Sequence, residues 1–95
     1  MLDNLKAADF QEFLGQQFEI LTGDATIAVK LAEVSTLGQS VREGGSFSLV
    51  FESAEEIGLE QGVYAISHPK MDTHELFLVP IGPFGDGNGY ESVFT

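Results

Sequence analysis

Two histidines near a single turn, His68 and His74, with Asp72 between them and Glu75 beside them, carry the most obvious chemistry in the chain. Two imidazoles and a carboxylate can hold Zn²⁺ and leave a fourth position open for water or substrate. If His68 lies opposite His74 in an antiparallel hairpin, their Cβ atoms stand ~5 Å apart. The competing reading is a pair of polar rings that tolerate each other at an exposed hairpin mouth. A one-residue slip of register would also send His74 to the opposite face. His68, His74 and Asp72 are therefore weak metal candidates, and no cofactor is expected.

Asp86-Gly87-Asn88-Gly89 followed by Glu91 has part of the look of a calcium loop. Half of the EF-hand pattern is missing and no flanking helices are readable, so a loop between strands is the better account. The glycines at 44–45 and 82–89 fit neither a dinucleotide fingerprint nor a phosphate loop. No Gly-x-Ser-x-Gly elbow is present, and the histidines sit at a hairpin tip rather than across a cleft. Glu55-Glu56 has no reason for a raised pKa. A barrel of this size leaves little room for a pocket of ~300 Å³. The chain is expected not to be an enzyme, with no catalytic residue.

The elements that must position these groups follow from the pattern. Ninety-five residues with 43% hydrophobic content, eight of them Phe, suit one domain with one core. Such a chain buries roughly 60–70% of its unfolded surface. Phe10, Phe13 and Leu14 make one apolar stripe on a short helix from Ala7 to Leu14, stopped at Gly15. About two turns cannot hold alone, so the helix must dock on something larger. Strands are expected over 17–22, 25–36, 46–53, 63–68, 73–81 and 90–94. The clearest alternation places Ile27, Val29 and Leu31 on one face. Phe47, Leu49 and Phe51 point inward from the third strand, Ser46, Ser48 and Glu52 outward. In the last strand Tyr90, Ser92 and Phe94 oppose Glu91 and Val93. The fold class is mainly β: a small antiparallel barrel or sandwich of about six strands with one short N-terminal helix.

With His68 opposite His74, Ile66 meets Leu76 and Tyr64 meets Leu78, while Ala65 meets Phe77 and Val63 meets Val79 on the other face. Both faces are apolar, so each needs a cover. One is the core. For the other the N-terminal helix, through Phe10 and Phe13, is the preferred cover, and a partner or second subunit the alternative.

Four runs resemble one family: Asp9-Phe10 with Gly15 and Phe18; Gly62-Val63-Tyr64 before His68-Pro69; Leu76-Phe77-Leu78-Val79-Pro80-Ile81-Gly82; and Tyr90-Glu91-Ser92-Val93-Phe94. From about Leu2 to Thr95 the chain resembles a bacterial family of small single-domain proteins, the domain of unknown function DUF6916. The resemblance supplies no catalytic residue. It implies a setting near phage-tail-collar or tail-fibre-like proteins.

Fifteen acidic against four basic residues give a net charge of −11. Counterion release on nucleic acid needs clustered cations, and Lys6, Lys30, Arg42 and Lys70 are scattered, so neither nucleic acid nor anionic lipid is an expected partner. Without Cys, disulfides and thiolate chemistry are excluded. No run approaches the ~18 apolar residues of a membrane span, and the N-terminus shows no signal-peptide pattern. The expected function is a non-enzymatic protein-interaction module, an accessory or structural part of a phage-tail-like assembly. Phe77, Val79, Phe84 and Phe94 are its contact residues, with core packing the competing role for each. The partner is another protein, tail-fibre or collar-like by the resemblance, or a second copy, met in the cytoplasm or within a tail-like particle. An acidic inhibitor that mimics nucleic acid is the alternative, and a small-ligand or carbohydrate-binding accessory domain the third. Self-repulsion at this charge generates a first expectation: the melting temperature rises with added salt. A flat response in a thermal melt series would mean that the carboxylates are already compensated locally.

Overall fold

The alternating runs become six antiparallel strands: β1 (Gln17–Leu21), β2 (Thr26–Thr36), β3 (Phe47–Ser53), β4 (Gly62–His68), β5 (Asp72–Phe84) and β6 (Gly87–Phe94). A helix, α1 (Ala7–Gln11), precedes them. In the computed structural model, which describes residues 6–36, 46–54 and 58–94, the strands close into a barrel in the order β1-β2-β3-β6-β5-β4. Barrel, not sandwich, is the architecture. No helix among the described residues is long and apolar enough to cross a membrane.

Period-2 alternation turns one side of each strand inward, and Phe18, Ile20, Leu31, Leu49, Phe51 and Leu78 fill the interior. The alternation is interrupted by two bulges among the described strands, one in β5 between Pro80 and Gly82 and one in β2. β2 carries a bulge between Leu31 and Glu33, after which Val34 rather than Glu33 faces the core. The extra residue bends the strand and lets it serve both neighbours. Leu31 donates its N–H to the Gln16 carbonyl at 3.0 Å and accepts from Gly15 N–H at 2.8 Å. β3 departs from expectation: Ser46 and Ser48, placed outward by the sequence, are buried, as is Val50. β3 is paired on both sides along nearly its whole length, with Ser48 set between Ser35 and Val93 and Val50 between Glu33 and Glu91, which leaves little of its outer face open.

The helix ends earlier than the stripe implied. Asp9 accepts the Lys6 N–H at 2.8 Å and fixes its start. Beyond Gln11 the chain tightens into turns, with Phe13 N–H on the Phe10 carbonyl and Gln16 N–H on that of Phe13. Three residues per turn align Phe10 with Phe13 and rotate Leu14 away; Phe10 is buried and Leu14 is exposed. Gly15, at φ 86°, ends the segment as expected.

α1 seals one mouth of the barrel and does not cover the outside of β4 and β5. The Phe10 ring sits 5.9 Å from Phe47 and 5.8 Å from Phe94, and those two rings stack at 4.4 Å. This corrects the sequence-based placement of the helix: a cap at the barrel end buries Phe10 against the stacked rings of Phe47 and Phe94. Leu59 packs on the core at the other mouth. There the Tyr90 hydroxyl accepts the Leu59 N–H at 2.9 Å, and the Tyr64 hydroxyl donates to the Glu60 carbonyl at 2.6 Å.

The glycine-rich stretch from Gly82 is not a loop. β5 runs on to Phe84 and β6 starts at Gly87, joined by the two-residue turn Gly85-Asp86. Gly85, at φ 58°, takes the first turn position, where a type II′ hairpin requires glycine. Gly87 then passes so close to the Ser53 carbonyl that any Cβ would collide with it. From Val79 onward β5 pairs with β6 alone, and this overhang carries Pro80 and Pro83.

Phe51→Ala should cost about 3–5 kcal/mol in urea unfolding, because a filled interior position empties. Phe77→Ala should cost under about 1 kcal/mol, since its ring is half outside. Equal losses would contradict this division of inside from outside.

Candidate functional site

The β4–β5 hairpin places the histidines, two residues away from the expected register. His68 pairs with Asp72, Ile66 with His74, Tyr64 with Leu76 and Val63 with Phe77. A two-residue shift keeps parity, so every side chain stays on its expected face while its partner changes. The turn tightens because Met71 N–H bonds the His68 carbonyl at 3.0 Å and Asp72 takes φ 60°.

His68 is a packing residue. It is 6% exposed, with ring centroids 4.5 Å from Phe13 and 4.8 Å from Phe18. Its Nδ1 accepts the Lys70 N–H at 3.0 Å, so the proton lies on Nε2, which donates to Gln16 Oε1 at 2.9 Å. Both nitrogens are engaged. His74 donates through Nε2 to the Met71 carbonyl at 2.6 Å, and Asp72 is exposed at the tip. Among the described residues no three His, Asp or Glu side chains are grouped to hold a metal. The weak metal candidates His68, His74 and Asp72 are thus not assembled into a site. The calcium-like run also fails to form a loop, since Gly87, Asn88 and Gly89 lie in β6.

Surface hollows of about 560 and 330 Å³ flank Lys70, one beside Gln16, Glu19 and Ser67, the other beside Asp9, Glu12 and His74. Another of about 450 Å³ lies over Ala28, with the Lys30–Glu52 ion pair at 3.4 Å in its wall. Glu52 also accepts the Asp86 N–H at 3.0 Å. These volumes exceed the pocket that chain length allowed for. They lie outside the barrel, and the interior is filled.

The outer wall of β4, β5 and β6 is the unusual surface. Val63 is 63% exposed, Phe77 49% and Val93 51%. Val63 and Phe77 are direct cross-strand partners. Leu21, exposed on β1, pairs with Ala65 on β4 and extends the strip sideways. Val79 is half-buried two residues along the same face, and Ile81 and Phe84 continue it by folding over Gly89, within 3.0 Å of where a Cβ would stand. Apolar side chains contiguous over four strands are more than the scattered exposure of an ordinary surface.

Of the four contact residues expected from sequence, Phe77, Val79 and Phe84 fall on this wall. Phe94 does not. It is 7% exposed and stacked on Phe47, because odd and even positions of β6 face opposite ways and Phe94 shares the inward parity of Tyr90 and Ser92. Val63, Leu21 and Val93 were not among the expected contact residues, although the sequence placed Val63 on the second apolar face and the outward parity of Val93 was readable.

Comparison with known families adds one match. The profile described as "Domain of unknown function (DUF6916)" matches residues 5–94. The chain belongs to this family. No curated protein and no solved structure matches significantly. For this DUF6916 member the site therefore rests on geometry.

His68→Ala should cost roughly 2–4 kcal/mol, through the lost ring packing and two unmade hydrogen bonds. A molar excess of Zn²⁺ should leave the wild-type melting temperature unchanged; a rise of several degrees would restore a metal site at the tip.

Proposed function

We propose that this DUF6916 chain is a non-enzymatic protein-interaction module whose contact surface is the outer wall of β4, β5 and β6. The observation that carries the reading is the Val63–Phe77 pair, apolar, cross-strand and largely exposed, in the middle of a continuous apolar strip. Leaving such a strip in water forgoes roughly 25 cal/mol for each Å² of it, and covering it with a partner recovers that stabilisation.

Strand addition at an open sheet edge is the weaker mode. Barrel closure leaves only short one-sided stretches of strand, and on the β5 overhang Pro80 and Pro83 lack the N–H groups that an added strand must use. Mimicry of nucleic acid is also weaker. Strand carboxylates are dispersed around the barrel, Glu19 on β1, Glu33 on β2, Glu52 on β3, Asp72 and Glu75 on β5 and Glu91 on β6, and do not line up in rows on one face. The setting we propose, an accessory part of a phage-tail-like assembly formed in the bacterial cytoplasm, rests on the family resemblance alone.

A Val63→Ser/Phe77→Ser double variant tests the wall. Its melting temperature should stay close to wild type, since both side chains are outside the core. In a pull-down from source-cell lysate, a stoichiometric protein held by wild type should be lost by the variant. Equal recovery by both would remove the wall as the contact surface.

A further inference from the structure

Resting on that reading of the wall, we infer that its occupant is a different protein with an apolar centre and a basic rim, and not a second copy of this chain. The apolar strip is edged by carboxylates. Glu75 pairs with Ala65, Glu91 with Val79 and Glu19 with Ser67, which puts acids beside the strip on β5, β6 and β1. Among the described residues no Lys or Arg lies on the outer wall of these strands. Lys6 is at the start of α1, Lys70 at the β4–β5 turn, and Lys30 is paired with Glu52 on the β2–β3 side.

Two copies packed wall to wall would bring these acids together around an apolar contact that excludes water. Each copy also carries −11, so the encounter is repelled before contact. Rim charges govern association rate, salt dependence and the rejection of wrong partners. An acidic rim around an apolar strip therefore selects lysines and arginines around a complementary apolar ridge. The same rim keeps the free protein monomeric despite its exposed hydrophobic surface.

The experiment uses a synthetic peptide in which Phe and Val alternate with Lys, and a twin with Glu in place of Lys. Binding is followed by amide and methyl chemical shifts of the whole protein, and self-association by sedimentation equilibrium. The Lys peptide should shift Val63, Phe77, Val79 and Val93, and should bind more weakly as salt rises through the screening range. The Glu twin should bind at least roughly tenfold more weakly, and Glu75→Lys/Glu91→Lys should reverse the preference. Wild type should sediment as a monomer. Equal binding of both peptides at the wall, no binding of either, or a wild-type dimer abolished by Val63→Ser/Phe77→Ser would overturn the basic-rim inference and leave the wall as a contact surface. Undiminished Lys-peptide binding by Val63→Ser/Phe77→Ser, or shifts confined to other faces, would overturn the wall itself.

Discussion

Closure of the sheet depends on β1 reaching β4. Three residue pairs make that seam, Glu19 with Ser67, Ile20 with Ile66 and Leu21 with Ala65. The middle pair points inward and is buried, so the seam closes on core packing as well as on the ladder. A barrel this narrow is filled by its own side chains, and its two ends are then the remaining routes for water. Phe10 with Phe13 closes one end and Leu59 the other. α1 is too short to be stable by itself and is held by what it seals. The bulge in β2 belongs to the same solution, because it turns the strand where the Gly15-Gln16 segment comes in to bond Leu31.

Face assignment was legible from residue types; partnering was not. Alternation tells which side of a strand is apolar, and that survives an error of two residues in register. Hence Phe77 and Val79 reach the outer wall even though Val63 meets Phe77 and not Val79. Register is decided by the turn, where Asp72 at positive φ shortens the connection, and no alternation reports that. The stretch from Gly82 to Gly89 misled for a related reason. Glycines signal a loop, but here they serve a bulge, a two-residue turn and a close strand crossing, each needing backbone freedom inside a hairpin. His68 was misjudged because a polar ring near a turn looks exposed on paper. Only the fold shows that Phe13 and Phe18 come from elsewhere to enclose it.

Inside and outside contrast sharply: both histidine side chains near the hairpin tip are engaged in hydrogen bonds, while apolar side chains of outward parity stand on the outer wall. In the proposed reading, acids around that wall repel a second copy and favour a basic partner, so one arrangement of charge around one strip would serve both ends.

Phe10 and Phe94 come from opposite ends of the described chain and meet at one mouth. During synthesis the helix emerges first, yet its seat, built with Phe47 and Phe94, is complete only after β6 has been made. The early segment must wait with its aromatic rings unburied while six strands appear. Such long-range pairing is a mark of slow-folding topologies. Full docking of α1 therefore requires β6, so the helix registers whether that strand is in place.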